Sequence, residues 1–188
     1  CAWCVEKNGY RPQGTCSVED LAEQVFSVGK KKILILGGEP TLRRELSQFI
    51  DMLDACDFEV YMTTNGSLLT PAFVDWSLSN LTGINISFHD TTYNWNITGV
   101  QISKDTLKRS IKSLRANNVN VRLNCNLIKG YVDSLEKVMG YISFAKELEV
   151  DCIRFAELKG NKSQFVNAYE IMKPVFNMNN EPYLEGCS

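Results

Sequence analysis

The residues best equipped for chemistry gather at two places near the start of the chain. Cys1-Ala2-Trp3-Cys4 is a C-x-x-C pair with an aromatic before its second cysteine, and Gly37-Gly38-Glu39-Pro40 is a glycine turn carrying a carboxylate. A C-x-x-C pair alone serves zinc binding, thiol–disulfide exchange or an iron–sulfur cluster. A tetrahedral zinc site needs a second ligand pair, but the sequence has no other C-x-x-C and His89 is its single histidine. A redox role of the thioredoxin type would place the pair between a strand and a helix, a context that residues ahead of Cys1 would supply. In the second motif the glycines let the backbone approach a ligand closely. Glu39 adds a charge at the C-terminal end of a strand, where parallel α/β folds assemble their sites. Read alone, the same four residues are better explained as a tight turn with a solvated glutamate.

The elements that would position these residues alternate along the chain. Ser17 followed by Asp20 reads as a variant capping box, with Val18, Leu21, Ala22, Val25 and Phe26 at helical spacing. Ile33-Leu34-Ile35-Leu36 reads as a buried parallel strand ending at Gly37-Gly38. A helix follows with Leu42, Leu46, Phe49, Ile50 and Leu53 on one face, then a strand over 59–63 closed by Asn65-Gly66. Thr70-Pro71 starts the next helix by the N-cap and N1-proline rule. Further strands are expected over 84–88, 119–127 and 152–155, with helices capped by Ser103 and Ser134 and a last helix over roughly 164–176. Repeated βα units with apolar strands mean a parallel sheet covered by helices.

Two of these strands alternate in polarity. Ile84, Ile86 and Phe88 oppose Asn85, Ser87 and His89; Val121, Leu123, Cys125 and Leu127 oppose Arg122, Asn124 and Asn126. Side chains alternate faces along a strand, so each strand has one polar face. That favours a curved sheet or open barrel around a wet cavity over the alternative of two edge strands facing solvent.

Composition removes several function classes. The net charge of −2 gives no broad basic surplus for nucleic acid, and no apolar run approaches the ~20 residues that span a bilayer. Seven cysteines in a chain this well supplied with core residues argue against a disulfide scaffold and for a reducing, cytoplasmic setting. Cys56, Cys125 and Cys152 lie in periodic apolar segments and are expected to act as small buried hydrophobes. Cys16 and Cys187 carry no signal of their own.

Taken together, these residues resemble the radical S-adenosylmethionine (SAM) superfamily. Its core motif is C-x-x-x-C-x-aromatic-C, followed by a G-G-E-P turn on the next strand. Cys1, Trp3 and Cys4 match the later part of the cysteine motif, whose first cysteine falls ahead of this sequence. Thr63-Thr64-Asn65-Gly66 matches the family's T-N-G strand end. Ser87-Phe88-His89 resembles its S-x-D strand, with His89 where Asp is commoner. Arg122-Leu123-Asn124 and residues 153–158 resemble the next two strands. Gly37 to Ile50 and Ile153 to Leu158 are similar to the molybdenum-cofactor cyclase acting on GTP and to peptide-modifying relatives.

The resemblance implies an α/β fold, a partial (β/α)6 TIM-like barrel of parallel strands with its first strand ahead of this chain. Residues 1–158 would form the core and 159–188 a C-terminal extension. It implies a [4Fe-4S] cluster with Cys1 and Cys4 as ligands beside Trp3, and SAM bound through Gly38, Glu39, Thr64, Asn65, Ser87 and Asn124. It also implies a reductant such as flavodoxin or ferredoxin, and hydrogen abstraction from a peptide, nucleotide or small molecule. Tyr93 and Trp95, in a polar and aromatic loop after a strand, are expected to meet the substrate. The main alternative is a degenerate relative that keeps the fold as a scaffold without the cluster. A zinc- or disulfide-stabilised binding domain is a weaker third, since its ligands are too few.

Overall fold

The computed structural model describes residues 16–158 and 162–176. Cys1, Trp3, Cys4 and Cys187, together with half of the expected C-terminal extension, lie outside the described residues. The elements in chain order are α1 (Val18–Ser27), β1 (Lys32–Ile35), a 3-10 turn (Pro40–Leu42), α2 (Leu46–Asp54), β2 (Glu59–Thr64), α3 (Pro71–Ser77), β3 (Gly83–Ser87), α4 (Asn94–Thr98), α5 (Lys104–Ala116), β4 (Asn120–Leu127), α6 (Leu135–Glu147), β5 (Cys152–Glu157) and α7 (Ala168–Met172). The expected caps form. Ser17, Thr70, Ser103 and Ser134 accept the backbone N–H of Asp20, Phe73, Thr106 and Lys137 at 3.0, 3.2, 3.0 and 3.4 Å. None of the described helices is long and apolar enough to cross a membrane.

The five strands pair in the order β1-β2-β3-β4-β5, every pair parallel. One face carries Val60, Met62, Ile84, Ile86, Val121, Leu123 and Cys125, all buried and packed with Ile50, Val74, Ile111 and Val138 of the helices. The opposite, inner face carries Tyr61, Thr63, Asn85, Ser87, Arg122 and Asn124. β3 and β4 are flanked on both sides, so their polar alternation does not come from edge exposure. It marks the concave face of a partial barrel.

Local details depart from the sequence reading. The helix expected from Leu42 begins at Leu46, because Glu39 and Pro40 start a separate 3-10 turn and Arg43 returns to extended backbone at φ −76°, ψ 122°. Leu42 is left 69% exposed. Leu34 and Leu36 are likewise exposed on the inner side of the edge strand β1. Cys125 is buried as expected, and burial pushes its thiol well above the usual range. Cys56 and Cys152 are exposed instead: the first sits in the turn after α2, the second opens β5 at the sheet's other edge. All four described cysteines are free. The final helix is shorter than the periodicity predicts, Ala168–Met172.

His89 serves the fold directly. The regular β3–β4 ladder runs to Ser87 opposite Asn124, and the Phe88 N–H donates to the Asn124 carbonyl at 3.0 Å. One step on, the backbone N–H of Asn126 donates to His89 Nδ1 at 3.1 Å. The imidazole therefore takes the place of a backbone acceptor beyond the last residue of β3. It is 5% exposed, and burial lowers its pKa from 6.5 to about 4 despite a hydrogen bond with the Asn124 backbone.

A depressed histidine pKa means that the folded chain binds fewer protons than the unfolded one between the two values. Stability should therefore fall as pH drops below 6.5, with this contribution fully lost below about 4. Between pH 7.5 and 5 the unmodified chain should lose about 2 kcal/mol more than His89→Asn, whose amide oxygen accepts the same N–H without titrating. Urea unfolding of both chains across this range measures the difference; equal losses would refute the assignment.

Candidate functional site

The inner face is ordered in rows by strand register. Thr63, Asn85, Arg122 and Cys152 stand opposite one another across β2 to β5. Ser87, Asn124 and Arg154 form the next row toward the strands' C-terminal ends. Asn85 is 5% exposed and donates through Nδ2 to Thr63 Oγ1 at 3.1 Å. The ring of Tyr61 lies over Gly83, where a Cβ would come within 2.9 Å of ring carbons. Gly83 thus makes room for an aromatic on the inner face. Two depressions of about 330 and 220 Å³ flank this ring, and both are lined by Tyr61, Asn85 and Arg122.

Several polar groups on these rows lack partners. Arg122 Nε and Asn124 Oδ1 are buried atoms without a hydrogen bond among the described residues. The Ser87 side chain makes none with the described residues either. Buried polar atoms are nearly always paired, and leaving one unpaired costs roughly 1–3 kcal/mol. Among the described residues, neither Arg122 nor Arg154 enters an ion pair. The face offers a guanidinium, an amide oxygen and a hydroxyl on neighbouring strands, an arrangement that a polar, partly anionic ligand would satisfy.

At the mouth, the turn after β1 is built around Glu39. Gly37 has φ +154°, and a Cβ at Gly37 or Gly38 would meet nothing within 4 Å, so the space beside this backbone is open. The Glu39 carboxylate is heavily committed within the protein. Oε1 accepts from the Thr41 N–H at 3.2 Å, the Thr41 hydroxyl at 2.6 Å and the Thr64 hydroxyl at 2.6 Å. Oε2 accepts the Asn65 N–H at 2.7 Å. Glu39 therefore clamps the glycine turn to the end of β2. Thr64, 1% exposed, shares the buried face of Val60 and Met62, and its hydroxyl serves this clamp while Thr63 occupies the inner face. The Asn65 side chain is turned to the Ser67 N–H at 2.8 Å.

Tyr93 and Trp95 lie on the connection from β3 to α5 and are 56% and 59% exposed. α4 holds this connection in place through buried Asn94 and Ile97. The Asn94 side chain accepts the His89 N–H at 2.7 Å. The two aromatics do not share one wall. Tyr93 faces a cleft toward α6, whereas Trp95 borders a groove with Val100, Ile102 and Lys104. Sequence reasoning gave no role to Tyr61, Arg122 or Arg154; the period-2 alternation that singled out Asn124 was the signal for Arg122 as well.

The donors suit the expected groups. SAM presents an ammonium, a carboxylate and ribose hydroxyls, which match the unpaired Asn124 oxygen, Arg122 and Ser87 in kind. The described residues contain no group of three or more His, Cys, Asp or Glu side chains that could hold a metal ion; cysteine thiolates are the ligands that iron–sulfur clusters take.

The sequence profile of the radical SAM superfamily matches residues 1–142. A probable GTP 3',8-cyclase of Sulfurisphaera tokodaii is 32% identical over 166 residues, covering 84% of this chain and 51% of the relative. A GTP 3',8-cyclase of Haemophilus influenzae is 24% identical over 184 residues, covering 91% of this chain and 53% of the relative. The chain thus spans about half the length of the curated relatives it matches. Among solved structures, SuiB of Streptococcus suis bound to S-adenosylmethionine overlays with a TM-score of 0.64 at 19% identity, covering 85% of this chain and 38% of that one. The radical SAM methyltransferase TsrM of Kitasatospora setae, with cobalamin and a [4Fe-4S] cluster, gives 0.66 at 12% identity over 84% and 34%. The profile match over most of the chain and the shared barrel lead to one conclusion: the chain belongs to the radical SAM superfamily.

Proposed function

We propose that this chain is the core of an enzyme that binds SAM on the inner face of β3 and β4 and abstracts hydrogen from a substrate at the barrel mouth. The observation that carries this reading is the buried, unpartnered Asn124 Oδ1 beside Ser87 and Arg122. When bound, a reduced [4Fe-4S] cluster supplies the electron that cleaves SAM to a 5′-deoxyadenosyl radical. Residues 1–158 are the core, with Cys1 and Cys4 as cluster ligands and Trp3 as a cofactor-binding residue. Asn124 accepts from an N–H or O–H of SAM, Ser87 reaches the ribose, and Arg122 holds an anionic group of SAM or substrate. Gly38 offers backbone at the mouth to the SAM amino group. Glu39, through Thr64 and Asn65, fixes the position of that backbone and keeps at most one lone-pair direction on Oε2 for the ligand. The reductant is a small electron carrier of the flavodoxin or ferredoxin kind.

Losing one hydrogen bond to a charged ligand costs about 1.5–3 kcal/mol, and ~1.4 kcal/mol is one decade of affinity. Asn124→Ala in the full-length, anaerobically reconstituted protein should therefore weaken SAM binding by about tenfold or more, read by calorimetry; unchanged affinity would remove Asn124 from the site. Cys1→Ala and Cys4→Ala should each lower iron per chain and the broad iron–sulfur absorbance. Full iron content in both variants would exclude them as ligands, whereas an unmodified protein that takes up no iron on reconstitution would favour the scaffold reading. Trp95→Ala should slow turnover of the true substrate while SAM affinity and uncoupled 5′-deoxyadenosine release stay near wild type. A loss of SAM affinity as large as that of Asn124→Ala would place Trp95 at the cofactor instead.

A further inference from the structure

A separate cleft of about 320 Å³ opens on the helix side of the barrel, between the β3–α5 connection, the β4–α6 connection and the first turns of α6. None of the inner-face residues lines it. Tyr141 closes its floor, its hydroxyl donating to the Phe88 carbonyl at 2.5 Å. Three features of its wall point to a ligand.

The first is Asp90, which is only 8% exposed. Its Oδ1 accepts the N–H groups of Thr92 and Tyr93 at 2.8 and 2.6 Å. Its other oxygen meets no donor and no cation among the described residues. A carboxylate buried this far normally has its charge paired. The second is the charge of the wall. Lys137 is drawn to Asp133 at 2.8 Å, which leaves Asp90 and Glu136 without a cation partner among the described residues. The third is Gly140, within α6. A glycine in a helix interior is destabilising relative to alanine, and no packing neighbour requires it, since a Cβ there would meet nothing within 4 Å. Its effect is to keep the α6 side of the cleft open.

We propose that this cleft binds an organic cation, an alkylammonium or guanidinium group, held between Asp90 and Glu136 with the rings of Tyr93 and Tyr131 alongside. Aromatic rings attract such cations electrostatically, and the volume lies at the small end of ligand pockets, fitting a ligand of amino-acid size. A divalent metal ion of the calcium or magnesium kind is a poorer match, because it takes about six or more oxygen ligands and the wall supplies two carboxylates. The cation comes from a lysine or arginine side chain of a peptide or from a free amine. Either source leaves the inner face to SAM, so the inference stands apart from the function proposed above.

Ligand-observed NMR titration of the full-length protein with n-butylammonium, 1-butanol and N-acetyl-lysine-N-methylamide tests this. Butylammonium should bind saturably, and neutral 1-butanol should bind at least tenfold more weakly. Glu136→Gln, at an exposed helix position, should weaken butylammonium binding about fivefold or more. Gly140→Leu should fill the cleft and abolish it, with SAM affinity retained in both variants. Tighter binding of the lysine derivative than of butylammonium assigns the cleft to a peptide side chain; equal or weaker binding assigns it to a free amine. Equal binding of 1-butanol, or wild-type affinity in both Glu136→Gln and Gly140→Leu, overturns the proposal. Should Gly140→Leu fail to fold by circular dichroism, unchanged affinity in Glu136→Gln alone overturns it.

Discussion

A parallel sheet whose helices all lie on one side leaves its other face to water or to a ligand. That constraint organises this chain. The helix-side residues of β1 to β5 form one continuous apolar core with α1, α2, α3, α5, α6 and α7, and that burial holds the sheet together. The inner face contributes little to the core and is free to carry chemistry. It does so with groups that are costly to leave alone: an arginine nitrogen and an amide oxygen buried without partners. The stability of one face supports the unmet bonding capacity of the other.

Holding such groups requires a rigid frame, and the strand ends supply it. Glu39 draws four hydrogen-bond donors from two chain segments onto one carboxylate. His89 and Asn94 do the same on the next connection, where side chains extend the hydrogen bonding past the last backbone pair. Both devices sit at the C-terminal ends of strands, where loops alone would leave the backbone loose. The glycine turn can then remain open beside a ligand without losing its position.

Much of this was legible in the sequence. The parallel sheet follows from the βα alternation, and the polar faces of β3 and β4 follow from a period of two. Ser17, Thr70, Ser103 and Ser134 announce their helices because N-capping is a local interaction. What stayed hidden depends on contacts between distant segments. Nothing near Glu39 says that its carboxylate meets Thr64 and Asn65, some 25 residues away. Cys152 reads as core because its neighbours are apolar, but its strand is the sheet's last and its side chain lies on the open face. Leu42 fits the helical period of α2 and is excluded from it by a proline-initiated turn. The family signal lay in the order and spacing of several motifs, of which the first, the cysteine motif, lies outside the described residues.

The strand order in space repeats the strand order in the chain. During synthesis each emerging strand meets a partner that has already left the ribosome, and no segment waits for a distant one before it can pair. Every loop that must close is a single βα unit, which keeps the entropy of closure small and the contact order low for a parallel sheet. Growth from the N-terminus can therefore follow translation step by step, with the free edge of the newest strand exposed only until its successor arrives.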